Sequence, residues 1–171
     1  KGKLDGDSVP KLPDGVKARD YYAELLQKDY EEKYGKDFSG LTTSETIDSI
    51  EYFLFPNAFF FPGLTLPMVY RFRPDPVDPD YCNFDLIFLR PKPEDGHHPR
   101  PPDPVNLDVE ESYTLVEAVG SLGAIYDQDT SNLAAQTRGF KSSFKRGETL
   151  GNYQEVRIRH LQMRVKDYLN F

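Results

Sequence analysis

Hydrophobic positions recur along this chain with two different periods. In Ala18–Tyr34 the residues Tyr22, Leu25, Leu26, Asp29 and Tyr30 fall at helical spacing, and Gly35 stands where a helix would stop. The period then shortens. "IEYFLFPNAFFFPG" is dense in aromatics, which suit a pleated surface, and as one strand it would place Phe53, Phe55, Asn57, Phe59 and Phe61 on a shared face. "LPMVYRFRPDP" and "YCNFDLIFLRP" read as two further strands, joined by the turn-forming "PDPVDPDY". Three consecutive strands of this kind predict an antiparallel meander.

After the strands comes a proline-rich stretch, Pro91 to Pro104, which predicts an exposed loop carrying His97 and His98. Helical spacing then returns. One helix is predicted from Glu110 to about Phe140, bent near Gly120–Gly123. A last one runs from Tyr153 to Leu169, with Tyr153, Val156, His160, Leu161, Val165 and Tyr168 along a stripe. Strands first and helices afterwards make an α+β domain with the helices against one face of a curved sheet. The polar Lys1–Val16 reads as a surface segment, and no internal repeat or second domain is visible.

Composition narrows the chemistry. Apolar residues make up 38% of the 171 residues and aromatics 13%, enough for one core. The 28 acidic against 21 basic residues give a net charge of −7, the wrong sign for a nucleic-acid surface. The basic "RGFKSSFKRG" is a short exception. A single cysteine, Cys82, excludes an internal disulfide or a cysteine-rich cluster made by this chain alone. Neither a signal peptide nor a membrane span is evident, so a cytoplasmic protein is expected.

The segment "IYDQDTSNLAAQTRGF", Ile125–Phe140, raises the question of metal chemistry. On a helix Ile125, Asp129, Leu133, Gln136 and Phe140 share a face, which sets Asp129 on the apolar side and Asp127 away from it. From spacing alone Asp129 is either a helix-start acid or a metal ligand, with Thr130 and Ser131 competing for the capping role.

Taken in order, "FPN", "VYRFRPDPVDPD", "IYDQDTSNLAAQTRGFKSS" and "LGNYQEVRIRHLQMRVKDYL" resemble the carboxy-terminal catalytic domain of the large (alpha) subunit of Rieske non-heme iron oxygenases, from about Glu45 onward. The resemblance implies a helix-grip fold, an antiparallel sheet with long C-terminal helices around an apolar pocket, here incomplete at its N-terminal side. It implies a mononuclear Fe(II) held by two histidines and a carboxylate. Matching the family's acidic block makes Asp129 the implied ligand, with Asp127 second. Gln136 would be a supporting hydrogen-bond partner. Phe55, Asn57 and Phe59 would line the substrate pocket and Tyr126 would close it; ordinary core packing is the alternative for the phenylalanines, and a bulge residue that satisfies backbone groups is the alternative for Asn57.

The resemblance further implies O2 as co-substrate and an aromatic or other apolar substrate. Electrons would come from NAD(P)H through a separate reductase or ferredoxin to a [2Fe-2S] cluster, in a homotrimer. Two features depart from the family. No histidine precedes His97, whereas the family's two ligands lie upstream of the strands, and one cysteine cannot supply a Rieske cluster. Residues 1–171 are thus expected to be part of a catalytic domain within a longer polypeptide, inactive alone and without its Rieske domain. His97, His98 and His160 are not assigned as ligands. His160 is expected to pack or to pair with Glu155 or Asp167. Two other readings remain: a helix-grip module that binds small apolar ligands or lipids without catalysis, and a scaffold that docks a partner through its last helix.

Overall fold

The computed structural model describes residues 12–92, 100–145 and 147–170. The architecture is α+β, with a four-stranded antiparallel sheet followed by C-terminal helices. His97, His98 and most of the expected N-terminal surface segment lie outside the described residues. The chain divides after Pro99 into two compact units.

In the first unit α1 spans Ala18–Tyr34, as the pattern predicts, and ends on Gly35 at φ 63°, a left-handed position that only glycine takes without a steric penalty. Its buried side differs from the predicted face. Tyr22 and Leu25 are exposed, while Ala23 is buried and Gln27 and Tyr30 are half-buried. A short helix α2, Thr43–Ile47, explains the difference. Gln27 Nε2 donates to the Leu41 carbonyl and to Thr46 Oγ1, both at 2.9 Å, and Thr46 is fully buried. A polar residue therefore takes a core position because backbone and hydroxyl acceptors meet it there. α2 starts with a capping box, in which Thr42 Oγ1 accepts from the Glu45 N–H and Glu45 Oε2 accepts from the Thr42 N–H. The Thr-Thr-Ser-Glu sequence carried that signal.

The aromatic stretch forms two strands, not one. β1 (Tyr52–Leu54) and β2 (Ala58–Phe61) pair antiparallel across a turn at Phe55–Asn57. Proline lacks an N–H for a ladder, and Asn57 supplies hydrogen bonds where the chain reverses. β3 (Met68–Pro74) and β4 (Cys82–Phe88) complete a sheet in the order β1-β2-β3-β4. Between them Asp75 Oδ1 accepts from the N–H groups of Val77 (2.8 Å) and Asp78 (2.9 Å), fixing the turn. Tyr30 Oη donates to the Leu64 carbonyl at 2.6 Å and ties α1 to the loop ahead of β3.

In the second unit the helix expected from Glu110 begins later. Two 3₁₀ turns, Tyr113–Leu115 and Glu117–Leu122, precede α3, Gly123–Ser142. Gly120, at φ 56° and ψ −136°, interrupts the helical path. α4 covers Val156–Leu169, three residues shorter at its start than expected. Val119 and Tyr126 form the buried centre of this unit. Several apolar side chains of α4 are exposed, including Ile158, Val165 and Tyr168. The preceding loop is tied to α4 by Arg159 on the Leu150 carbonyl (3.4 Å) and by Gln162 on Glu148.

Candidate functional site

Strand alternation places Phe53, Phe59, Phe61, Tyr70, Phe72 and Phe84 on one face of the sheet. Their rings touch in sequence. Phe53 and Phe59 lie 4.8 Å apart, Phe59 and Phe72 meet edge to face at 6.0 Å, and Phe72 stacks on Phe84 at 4.6 Å with the planes 1° from parallel. Tyr70 continues the patch edge-on to Phe84 and to Phe61. Spacing and tilt of this kind are the favoured aromatic geometries.

Of the residues expected to line a pocket, Phe59 lies within this patch. Phe55 stands in the β1–β2 turn, edge-on to Phe53 at 6.4 Å. Asn57 is also in the turn, so Phe53, Phe55, Asn57, Phe59 and Phe61 do not share one strand face. Its Nδ2 donates to the Phe72 carbonyl at 2.7 Å, and its own carbonyl accepts from the Phe72 N–H at 2.9 Å. The amide nitrogen thus extends the sheet ladder by one step. Tyr70, Phe72 and Phe84 were not singled out from the sequence, although the alternation in "VYRFRP" and "CNFDLIF" carries them.

The opposite face is charged at its centre. Arg71 Nε and Arg73 Nε each donate to Asp85 Oδ2 at 2.8 Å, and Arg73 adds a second bond to Oδ1 at 3.0 Å. The Arg73 guanidinium, helped by Arg71, holds the Asp85 carboxyl down at about 2.

The other candidates lie in the second unit. Tyr126 is 6% exposed, and its ring is 5.5 Å from that of Tyr113. The burial of the two aspartates on α3 is the reverse of what the apolar spacing predicts. Asp127 is half-buried, accepting from Ser112 Oγ (2.6 Å) and from the Tyr113 N–H (2.9 Å). It caps the 3₁₀ turn packed against α3. Asp129 is exposed, and no described residue pairs with it. It does share a face with Ile125, Leu133 and Phe140, but that face is open, Ile125 being 51% exposed. Neither aspartate caps α3 itself, since the helix begins at Gly123 and its first turn holds no acid. Gln136 is exposed as well.

His160 is exposed and not packed. The acids expected to pair with it are engaged elsewhere, Glu155 by the Gly151 N–H and Asp167 by Arg164 at 2.8 Å.

A family model described as the ring hydroxylating alpha subunit (catalytic domain) matches residues 17–170. The chain belongs to the ring-hydroxylating alpha-subunit family. No curated protein and no solved structure matches it.

Ring-hydroxylating alpha subunits are Rieske-type oxygenases, and intact members use a non-heme iron and a Rieske cluster. Among the described residues no group of three His, Cys, Asp or Glu side chains could hold a metal ion. One exposed carboxylate does not make an iron site, so the described residues of this ring-hydroxylating domain do not fit the iron on their own. Among the described residues no helix is long and apolar enough to cross a membrane.

Proposed function

We propose that this chain is the catalytic-domain portion of a Rieske-type oxygenase that hydroxylates an aromatic or other apolar substrate, with Asp129 as the carboxylate ligand of a mononuclear Fe(II). The observation that carries the reading is the aromatic patch running across all four strands, in a chain whose family hydroxylates rings. A flat apolar substrate gains burial against such a wall at about 25 cal/mol per Å2, and edge-to-face contacts of about 0.5–1.5 kcal/mol add orientation. Phe55 and Phe59 belong to that wall. Asn57 holds the turn that presents Phe55, and Tyr126 is a further substrate-binding residue.

Asp129 is preferred over Asp127 because its carboxylate is open, while both Asp127 oxygens are engaged. The iron, when bound, would supply the activation of O2. In this reading its histidines and the Rieske domain come from outside the described residues, and the chain alone is inactive. Electrons arrive from NAD(P)H through a reductase or ferredoxin component, and the intact protein is a cytoplasmic homotrimer.

The test is metal analysis of the intact protein. Asp129→Asn should lose its iron and its hydroxylation while keeping its circular dichroism, and Asp127→Asn should retain iron. Full iron occupancy in Asp129→Asn would refute the ligand assignment.

The same aromatic patch supports one second reading, a module that binds apolar ligands without catalysis. An iron-free wild type whose affinity for an apolar ligand is untouched by Asp129→Ala would establish it.

A further inference from the structure

We infer that residues 100–106, "RPPDPVN", are a preformed polyproline II ligand for an aromatic-lined groove on a partner protein. The backbone is restricted by the sequence itself. Proline locks its own φ at about −65° and turns the residue before it away from the helical region. Pro101, Pro102 and Pro104 are fixed in the first way, and Arg100, Pro101 and Asp103 in the second, so every residue from 100 to 104 is held extended. Residues 100–108 accordingly enter neither a helix nor a strand, and 100–106 are all exposed. Downstream the chain is anchored. Leu107 is half-buried, and the Asp108 N–H donates to Glu111 Oε2 at 2.8 Å while the Glu111 N–H donates to the Asp108 carbonyl at 3.0 Å. The segment is thus gripped beyond its end and presented to solvent along its length.

A polyproline II helix has about three residues per turn, so side chains three apart share a ridge. Arg100, Asp103 and Asn106 form a polar ridge. Its charges are satisfied within it, because Arg100 Nη2 donates to Asp103 Oδ1 at 3.3 Å, across the one-turn spacing. Pro101 and Pro104 form a second ridge, and Pro102 and Val105, the latter 65% exposed, form a third. Two adjacent ridges are therefore apolar and the remaining one is polar. A pair of apolar ridges with this period fits the slots between parallel aromatic side chains, the mode of SH3-type and WW-type domains. The partner needs no charge of its own at the contact, since Arg100 and Asp103 already meet. Little ordering entropy is lost on docking, since the prolines have removed it beforehand. The inference stands on residues 100–111 and does not rest on the oxygenase reading.

The chain contains no tryptophan, so the groove tryptophan of an isolated WW domain or SH3 domain reports binding without background. Titrating the full chain into each domain should change the emission of at least one of them saturably. Pro101→Ala with Pro104→Ala should weaken that binding by at least about tenfold, with unchanged circular dichroism because both positions are exposed. Pro102→Ala with Val105→Ser, on the neighbouring ridge, should do the same. Arg100→Ala with Asp103→Ala removes only the exposed ion pair of the polar ridge and should stay within about fivefold of the wild type. Emission unchanged in both domains would overturn the inference and leave the segment a stiff spacer. So would undiminished binding by the two ridge variants, or a loss in the Arg100→Ala, Asp103→Ala protein as large as theirs.

Discussion

Replacing Asp127 and Asp129 separately by alanine should give opposite effects on stability. Asp127 accepts two hydrogen bonds, from Ser112 Oγ at 2.6 Å and from the Tyr113 N–H at 2.9 Å. Its removal leaves the Tyr113 N–H without that acceptor beside the Tyr113–Tyr126 contact, at a cost of about 1–3 kcal/mol. Ser112 Oγ keeps Thr114 Oγ1 as a neighbour at 2.6 Å, so its loss is the smaller part. Both substitutions remove an aspartate from a helix interior and gain roughly 0.5 kcal/mol of helix propensity. The net expectation is a loss of about 2 kcal/mol for Asp127→Ala and a change between zero and a slight gain for Asp129→Ala. In thermal unfolding that is a drop of roughly 4–8 °C against no drop. Asp127→Asn, which keeps a carbonyl oxygen for the Tyr113 N–H, should fall between. Equal losses at the two positions, or a larger one at Asp129, would refute the assignment of the structural role to Asp127.

Acid should loosen the sheet. The Asp85 carboxyl, held at about 2 by Arg73 and Arg71, lies below the ordinary aspartate value near 4, so its stabilisation is complete above that value and is lost as pH falls through about 2. Asp85→Asn should flatten the stability profile between pH 4 and 2, and an unchanged slope in urea titrations over that range would count against the Arg71–Asp85–Arg73 cluster. At the start of α3 a Cβ on Gly123 would lie 3.0 Å from both the Cα and the N of Thr114. Backbone atoms cannot swing aside, so Gly123→Ala should cost about 1–3 kcal/mol in equilibrium unfolding.

Much of this fold was legible because period and punctuation agreed. α1 matches its predicted span, since apolar spacing and the Gly35 stop point to the same end. β3 and β4 follow from alternation around a Pro/Asp turn. The failures have local causes. Composition alone does not reveal that "FLFPNAFF" reverses direction, because aromatic density is the same on both arms of a hairpin. The helix expected from Glu110 does bend at Gly120, as expected, but residues 113–122 wind as two 3₁₀ turns and the α-helix itself starts only at Gly123. For the candidate site, helical geometry correctly grouped Asp129 with Ile125 and Leu133. It could not foresee that the packed side of α3 is the one bearing Tyr126 and Asp127, because that depends on a turn contributed by residues 112–115. Asn57 shows the same limit. Its partner, the Phe72 carbonyl, belongs to a strand whose pairing no single stretch of sequence announces.

The strand order β1-β2-β3-β4 also bears on how the sheet comes into being. Every strand pairs with its neighbour in the chain, across turns at 55–57, 62–67 and 75–81. Each pairing closes only a short loop, so little chain entropy is lost before the ladder begins to compensate it. Contacts of such low sequence separation favour rapid assembly. The aromatic patch needs nothing beyond Phe88 to be complete, and during synthesis it can form before residues 100–171 have left the ribosome.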